Sequence, residues 1–320
     1  MSFKDLMNKH LELYPKMETS DLIKLAYQSV YGPFHMANDE NNLRNYLLNE
    51  KCNEIRKTEY LEGEYARYYF DNNTDLYLLL KLFIKSMQEH KNDDLFLDYL
   101  GLIEDKEGVN FYLQGGIRDI HHSKIYNELY KPHYRLIKKD YASYFDVLEK
   151  IGETIKNNPK AIIAIDGMCC SGKSYLAKLI SSIYDVQIVH SDDFYLPKVK
   201  RSVDWFDIVG GNMNIDYLKD CLVRKEYKPF NCRNQSYGLK VKIEDKPIIV
   251  EGTYSLLVED VYDLRIFLNC SNETQLKRLR EREEDIKNFT DIWLVKEKAY
   301  FDKLDIKKKT DMIINTDKYF

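Results

Sequence analysis

AIIAIDGMCCSGKSYLAKLI, residues 161–180, contains the pattern that decides the fold of this chain. Its first five residues form a continuous apolar run, which is typical of a buried parallel strand. The next segment, GMCCSGKS at 167–174, fits G-x-x-x-x-G-K-[ST], and apolar residues at helical spacing follow it. A strand, a glycine-rich loop and a helix in this order predict a loop whose backbone N–H groups surround phosphate oxygens.

The residue types in this loop predict a nucleotide and a magnesium ion as ligands. Gly167 and Gly172 permit a tight turn and a close approach of the backbone to phosphate. Lys173 is expected to reach the β- and γ-phosphates of ATP or GTP, and Ser174 to ligate Mg²⁺. The alternative is an ordinary strand-turn-helix, which the complete motif and its flanks disfavour. The predicted nucleotide-binding residues are Gly167, Ser171, Gly172, Lys173, Ser174 and Tyr175.

Two adjacent cysteines, Cys169 and Cys170, occupy positions where the motif accepts any residue. A helix N-terminus lowers the pKa of a thiol, so redox sensing is one interpretation. The other is that both are small side chains that the loop tolerates. We favour the second interpretation, because no resolving cysteine is evident in the sequence.

Four further short apolar runs follow the phosphate loop, with helical patterns between several of them. They predict strands at 186–190, 247–250, 264–268 and 311–315. Alternating strands and helices predict a parallel α/β sheet with helices on both faces.

The first half of the chain reads as helical, and little in it reads as a strand. Thr19 or Ser20 could cap a helix that stops at Gly32-Pro33, and further helices are expected at 76–88 and 140–156. The segment NNPK, 157–160, is a plausible linker. The sequence therefore predicts a mainly α-helical domain at 1–157 and a P-loop domain at 158–320.

The composition of the chain disfavours several classes of binding partner. The formal net charge is -4 with a pI near 6.0, and there is no long basic run, which disfavours nucleic acid as a ligand. The N-terminus lacks the apolar core of a secretory signal, and no apolar run is long enough to cross a membrane. The six cysteines are scattered. Reduced thiols in a cytoplasmic protein that acts on small molecules are the expectation.

A second motif, VHSDDFYLP at 189–197, follows the second predicted strand. An acidic pair at the carboxyl end of such a strand lies on the edge where α/β folds bind ligands. A carboxylate there can accept the proton of an attacking hydroxyl, although it can also be a solvated loop residue.

Seven ordered pieces of the segment 161–316 resemble the uridine kinase-like family of P-loop phosphotransferases. This resemblance implies a nucleoside-monophosphate-kinase-like fold and transfer of the γ-phosphate of an NTP to a substrate hydroxyl. The pieces are AIDGMCCSGKS, VHSDDFYLP, GGNMNIDYL (210–218), KPFNCR (228–233), KPIIVEGTYSL (246–256), DLRIFLNCSNETQLKRLRERE (263–283) and DMIIN (311–315).

The resemblance also implies roles for individual residues. Asp192 falls on the family's general base, and Glu251 on an acidic residue near Mg²⁺. Arg278 and Arg282 fall on lid arginines that stabilise the transferring phosphoryl group, with Lys173 completing the catalytic set. The alternatives are a strand-end charge for Glu251 and a solvated helix face for either arginine. The implied acceptor-binding residues are Asp193, Tyr195, Asn214, Asn231 and Arg233.

The acceptor half departs from the family pattern. Asn214 stands where uridine kinases hold ribose hydroxyls with an aspartate, and Asn231 stands in the family's aromatic-aspartate step. No histidine follows His190, so the histidine that reads the base has no counterpart. The sequence is thus more similar to an uncharacterised bacterial branch of the family, and it predicts the chemistry better than the acceptor.

Histidines in two loop-like segments of the N-terminal half suggest a further site. Metal binding and binding of an anionic ligand are both compatible with these residues, although the spacing matches no standard zinc pattern. Helix-end capping and aromatic packing are the structural alternative. The candidate residues are His35, His121, His122, His133 and Arg135.

Three functional hypotheses remain open from the sequence. The leading one is an ATP- or GTP-dependent, Mg²⁺-requiring kinase that acts on a small hydroxylated molecule, including a nucleoside such as uridine. The second is a nucleotide-driven switch or ATPase whose P-loop domain regulates the helical domain, although a guanine-reading N-K-x-D motif is absent. The third, a degenerate binding module, conflicts with the presence of Lys173, Ser174, Asp192 and Glu251.

Overall fold

The computed structural model describes residues 2–34, 45, 47, 55–88 and 92–317. The chain divides into two compact units, Met1–Phe145 and Asp146–Phe320. This division falls at the first residue of the helix Phe145–Asn157, whereas the predicted domain boundary at 157/158 falls at its last residue. None of the described helices is both long enough and apolar enough to cross a membrane.

Helices form most of the N-terminal unit. A core of aliphatic and aromatic side chains, including Ile23, Leu25 and Phe96, holds several of them together. The described helices are α1 (Phe3–Leu13), α2 (Thr19–Tyr31), α3 (Leu76–Ser86), α4 (Asp93–Gly101), α5 (Lys106–Leu113), α6 (Lys124–Tyr130) and α7 (Lys139–Ser143).

A three-stranded antiparallel sheet accompanies these helices. It consists of β1 (Lys57–Tyr60), β2 (Tyr65–Tyr69) and β3 (Arg135–Lys138), with β2 in the middle. The expectation of few strands in this half was wrong here. The central strand, YARYY, is buried throughout but carries an arginine at its centre, so it shows neither an apolar run nor an alternating pattern.

The helix predictions in this half were confirmed with changes at the boundaries. The helix that stops at Gly32 begins at Thr19, but its N-cap is Glu18 rather than Thr19 or Ser20. The helix predicted at 76–88 is α3. The single helix predicted at 140–156 was wrong, because the chain breaks at Tyr144 into α7 and α8 (Phe145–Asn157).

The C-terminal unit is built on a parallel five-stranded sheet in the order β12-β11-β4-β10-β5. All five strands that the apolar runs predicted are present. They are β4 (Ile162–Gly167), β5 (Gln187–His190), β10 (Ile248–Glu251), β11 (Leu264–Asn269) and β12 (Met312–Asn315). The central strand β4 is buried along five of its six residues, as expected for a strand covered on both faces, which explains its continuous apolar sequence.

Helices and short hairpin strands connect these five strands. The predicted α/β fold is therefore confirmed, and the carboxyl ends of β4, β5 and β10 meet at one edge of the sheet. The helices are α9 (Lys173–Ile183), α10 (Ile215–Arg224), α11 (Asn272–Arg282) and α12 (Leu294–Lys303). The short strands are β6 (Glu226–Tyr227), β7 (Phe230–Asn231), β8 (Ser236–Tyr237) and β9 (Val241–Lys242).

Candidate active site

The phosphate loop connects the end of β4 to the start of α9, and two glycines give it its course. Gly167 has φ 141°, and a Cβ at this position would lie 2.0 Å from the carbonyl oxygen of Leu268. Gly172 has φ 93° and is the N-cap of α9. Both backbone conformations favour glycine, so the loop follows a path that other residues would strain.

Two cationic side chains donate hydrogen bonds to backbone carbonyl groups of the loop. Lys173 Nζ donates to the carbonyl oxygens of Gly167 and Met168, each at 2.8 Å. Arg278 Nη1 donates to the carbonyl oxygen of Cys170 at 3.2 Å, and its Nη2 donates to that of Thr316 at 2.6 Å. Arg278 thus ties the loop to the segment that follows β12.

A hydroxyl and a carboxylate meet beside the loop. Ser174 Oγ donates to both carboxylate oxygens of Glu251 at 3.1 Å, and His190 Nδ1 lies 2.5 Å from Glu251 Oε1. The hydrogen bond to Glu251 raises the pKa of His190, against the opposing effect of burial. Hydroxyl and carboxylate oxygens are hard ligands of the kind that Mg²⁺ prefers, so the donor set of Ser174 and Glu251 fits this ion.

Asp192 lies on the 3₁₀ turn Ser191–Phe194, directly after β5, and its side chain lines the same cleft as the loop. The dense protein surroundings raise the pKa of its carboxyl group, although Lys173 opposes this shift. Tyr195 lines the same cleft. The raised pKa makes the Asp192 carboxylate a stronger base than an aspartate in water.

The cleft that contains these groups has a volume of about 910 Å³, within the usual range for ligand sites. Most of the residues predicted for catalysis and binding line it. They are Gly172, Lys173, Ser174, Tyr175, Asp192, Tyr195, Arg233, Glu251, Arg278 and Arg282. Gly167 and the fully buried Ser171 belong to the loop beneath the cleft and do not line it.

Three residues of the implied acceptor set lie outside the cleft wall and have local contacts. Asp193 accepts a hydrogen bond from the Tyr227 hydroxyl at 3.3 Å. Asn214 is the N-cap of α10. Asn231 Oδ1 accepts the N–H of Arg233 at 2.9 Å, within the turn between β7 and β8. The role of these three residues in acceptor binding stays a prediction.

The two loop cysteines line the cleft, with their sulfur atoms 3.8 Å apart. The hydrogen bond with Cys170 lowers the pKa of Cys169 to about 6, and Lys173 and Arg282 act in the same direction. The same hydrogen bond raises the pKa of Cys170. The interpretation that these residues are only small, tolerated side chains stays a prediction.

Sequence reasoning missed a buried carboxylate behind the loop. Glu297 on α12 accepts the backbone N–H of Cys169 at 2.6 Å and the side-chain amide of Gln275 at 2.9 Å. Gln275 also donates to the carbonyl oxygen of Cys169 at 3.1 Å. No motif marks Glu297, because it reaches the loop from a helix more than a hundred residues further along the chain.

The raised pKa of Glu297 predicts that its contribution to the stability of the fold declines as pH rises. Burial raises the pKa of Glu297 from 4.5 to about 7, and Lys173 opposes the shift. Between these values the folded chain keeps a proton on Glu297 that the unfolded chain releases, so Glu297 should lower the free energy of unfolding by on the order of 3 kcal/mol from pH 5 to pH 8. The lowered pKa of Cys169 acts in the opposite direction, so the contribution of Glu297 is the difference between the wild type and Glu297→Gln in urea denaturation at both pH values.

The Glu297→Gln variant should lose that part of the pH dependence, because glutamine does not titrate. Glu281→Gln, at an exposed position on α11, is the matched control and should keep the wild-type decline. Equal pH dependence in the wild type and Glu297→Gln would contradict the prediction.

The N-terminal histidine candidates do not form one site among the described residues, and His35 lies outside them. His122 is bonded to Asp21 (2.8 Å) and to the Tyr134 hydroxyl (2.9 Å). His121 is exposed, and Arg135 lies over two phenylalanine rings. Within the described ranges, no group of three or more His, Cys, Asp or Glu side chains could hold a metal ion. A role for His133 and the others in ligand binding stays a prediction.

His122 belongs instead to a buried polar network around Arg67, which is fully buried. The Arg67 guanidinium donates to Gln28 at 2.8 Å and to Glu59 at 3.2 Å. Glu59 also accepts the Tyr69 hydroxyl at 3.3 Å. Burial lowers the pKa of His122 to about 4, so this imidazole is neutral at pH 7. The network pairs the buried Arg67 charge with Glu59, although the Nη2 of Arg67 has no hydrogen-bond partner among the described residues.

One family model matches part of the C-terminal unit. Residues 163–294 match the family model of the AAA domain. No curated protein matches the chain. Among the solved structures that match is one described as a possible uridine kinase from Bacillus stearothermophilus, with 19% identity and a TM-score of 0.41. That match covers 53% of this chain and 98% of the other. The parallel sheet, the phosphate loop and the family match give the C-terminal unit the α/β fold of P-loop NTPases.

Proposed function

We propose that the chain is an NTP-dependent kinase that transfers the γ-phosphate to a hydroxyl of a small molecule. The observation that carries this proposal is the position of Asp192. Its carboxyl group lies in the same cleft as Lys173 and the phosphate loop, and its pKa is raised. A kinase uses such a base to accept the proton of the attacking hydroxyl. A nucleotide hydrolase would use the same base on water, so the acceptor dependence of turnover distinguishes the two reactions.

Three side chains of the cleft, those of Asp192, Lys173 and Arg282, have roles in the proposed reaction. The hydroxyl oxygen of the acceptor forms a bond to the γ-phosphorus while the bond from that phosphorus to the β–γ bridging oxygen breaks, and ADP leaves. Asp192 accepts the hydroxyl proton. Lys173 and the backbone N–H groups of the loop bind the β- and γ-phosphates, and Arg282 reaches the same cleft. These donors stabilise charge that develops on the transferring group.

The magnesium site of this proposal is Ser174 with Glu251, whose oxygen donor set fits the ion. When bound, Mg²⁺ supplies positive charge to the phosphate oxygens. Glu251 also orients Ser174 through the two hydrogen bonds at 3.1 Å. ATP and GTP are both candidate phosphate donors, and uridine or another nucleoside is a candidate acceptor. The resemblance to uridine kinases supports this acceptor, whereas Asn214 and Asn231 depart from the pattern of that family.

Turnover with γ-³²P-labelled ATP in the presence and absence of acceptors tests the proposal. We expect ADP formation to depend on the acceptor and the label to appear in the phosphorylated acceptor. The acceptors should include nucleosides, sugars, sugar phosphates and hydroxy acids. Label that appears only in inorganic phosphate, at a rate independent of any acceptor, would contradict the proposal and favour the ATPase or switch.

A further inference from the structure

The wall of the cleft also contains three cations, Lys198, Arg201 and Arg233. We refer to them as the acceptor-side cations. They come from two segments of the chain: Lys198 begins the 3₁₀ turn Lys198–Lys200, Arg201 follows it, and Arg233 lies in the turn after β7. The phosphate loop, by contrast, is served by Lys173 and Arg278 from α9 and α11. The acceptor-side cations are therefore additional to the groups that bind the NTP.

Within the part of the chain that the structure describes, no carboxylate forms an ion pair with Lys198, Arg201 or Arg233. Asp192, a carboxylate of the same cleft, is among the groups that form no ion pair with them in the described residues. The situation differs for Arg282, another cation of the cleft, which pairs with Glu283 at 3.0 Å. Positive charges of like sign that lie together without a counter-charge attract anions to the cleft.

Two of these cations, Lys198 and Arg201, act on the same cysteine as Asp192 does. This residue, Cys232, directly precedes Arg233 and lines the cleft. Burial raises the pKa of its thiol, and the charges of Arg201, Asp192 and Lys198 all act on it. The acceptor-side cations and the Asp192 carboxylate therefore lie around the same part of the cleft, where one small substrate can contact both.

Hydrogen bonds fix the segments that carry the cations. Arg201 Nε donates to the carbonyl oxygen of Leu196 at 3.2 Å, and its guanidinium lies 4.9 Å from the ring centroid of Trp205. The buried Lys296 donates to three carbonyl oxygens of residues 205–208, which holds the loop beneath that ring. Gln235 links both segments, because it accepts the N–H of Lys198 and donates to the carbonyl oxygen of Cys232. The Arg201 side chain is therefore positioned before a ligand arrives, and the backbone segments that carry Lys198 and Arg233 are held together.

We propose that the phosphate acceptor is itself an anion, a small hydroxylated molecule with a phosphate or carboxylate group that Lys198, Arg201 and Arg233 bind while its hydroxyl faces Asp192. This inference rests on the proposed kinase function and specifies its substrate class. A neutral nucleoside would leave three cations without a counter-charge. Arginine binds phosphate and carboxylate groups through paired hydrogen bonds, so the acceptor-side cations suit either group.

Matched acceptors that differ by one charged group test the proposal. The pairs are D-ribose 5-phosphate with D-ribose, uridine 5′-monophosphate with uridine, and D-glycerate with glycerol. We expect kcat/KM to be higher for the anionic member of at least one pair. The first two pairs report on a phosphate group and the third on a carboxylate.

Arg201→Gln, Arg233→Gln and Lys198→Gln should each lower kcat/KM for the preferred anion by roughly ten- to a hundred-fold, the usual effect of losing a charge-assisted hydrogen bond. Its neutral partner should change by less than about two-fold. Lys200→Gln is the matched control, because Lys200 lies on the same 3₁₀ turn but not in the cleft wall.

Two turnover results would overturn the proposal. One is a preference for the neutral member in every pair. The other is an equal loss with both members of a pair in the variants, which would mean that these cations act on the transferring phosphoryl group.

A binding measurement separates failure of this inference from failure of the kinase proposal. If no acceptor is phosphorylated, calorimetric titration of the wild type with the same three anions in the presence of Mg²⁺ and ADP decides the question. Binding of an anion that Arg201→Gln weakens and Lys200→Gln does not weaken supports the anionic site on its own. Absence of binding for all three anions, or binding that the Arg201 and Arg233 variants leave unchanged, overturns it.

Discussion

Replacing Asp192 with asparagine should lower acceptor-dependent turnover by about 10²- to 10⁴-fold, the usual contribution of a general base. Asparagine keeps the size of the side chain but cannot accept the hydroxyl proton. Since the phosphate loop and Lys173 are unchanged, the affinity for ATP should change little. Steady-state ADP release with a saturating acceptor, together with the Kd for a fluorescent ATP analogue, measures both quantities.

The pH dependence gives this prediction a second test. The protein surroundings raise the pKa of the Asp192 carboxyl group, and only the deprotonated form is a base. The kcat/KM of the wild type should therefore fall as pH decreases through that raised pKa, at higher pH than an aspartate in water would require. The residual activity of Asp192→Asn should lack this acidic limb.

The control for Asp192→Asn is Asp185→Asn. Asp185 precedes β5, whereas Asp192 follows it, and Asp185 is 89% exposed in its ion pair with Lys246. The control should retain turnover within about two-fold, since exposed ion pairs contribute little. Acceptor-independent hydrolysis that persists at the wild-type rate in Asp192→Asn would contradict the kinase and favour a nucleotide-driven switch.

Replacing Arg67 with methionine should destabilise the N-terminal unit by about 3–5 kcal/mol, the typical cost of removing one partner of a buried ion pair. Arg67 is fully buried on the central strand β2 and donates to Glu59 and Gln28. Methionine fills similar space but leaves the Glu59 carboxylate without its main counter-charge. Denaturant unfolding followed by far-UV circular dichroism measures the loss.

A second probe localises this effect. Both tryptophans of the chain, Trp205 and Trp293, belong to the C-terminal unit, so their fluorescence follows that unit. In Arg67→Met we expect the circular dichroism signal of the helices to change at lower denaturant concentration than the tryptophan signal. Coincident transitions at the wild-type midpoint would contradict the prediction.

Two further variants test whether the uncompensated charge of Glu59 causes this loss of stability. Arg56→Met removes an arginine whose ion pair with Asp71, at 2.9 Å, is partly exposed, and it should cost less than about 1 kcal/mol. The double variant Arg67→Met with Glu59→Gln should recover part of the loss, because it removes the uncompensated charge. A double variant as unstable as the sum of both single variants would exclude this explanation.

The fold of the C-terminal unit was predictable because its signals are local. Five short apolar runs predicted the five strands of the sheet, since parallel strands in a sheet covered on both faces are rich in apolar residues. The N-terminal sheet was not predictable in the same way. Its central strand β2 contains Arg67. The side chains that bind Arg67 are Gln28 on α2, which is distant in sequence, and Glu59 on the neighbouring strand β1.

The sequence by itself determined the parts of the site that depend on neighbours in the chain: the glycines of the loop, Lys173 and Ser174 after them, and Asp192 at the end of a strand. Only the tertiary structure decided what surrounds these groups. It brings Glu297 to the N–H of Cys169 and places Lys198, Arg201 and Arg233 in the wall of the same cleft as Asp192. The physical reason is that backbone conformation follows local sequence, whereas burial and charge compensation depend on residues that meet only after the chain has folded.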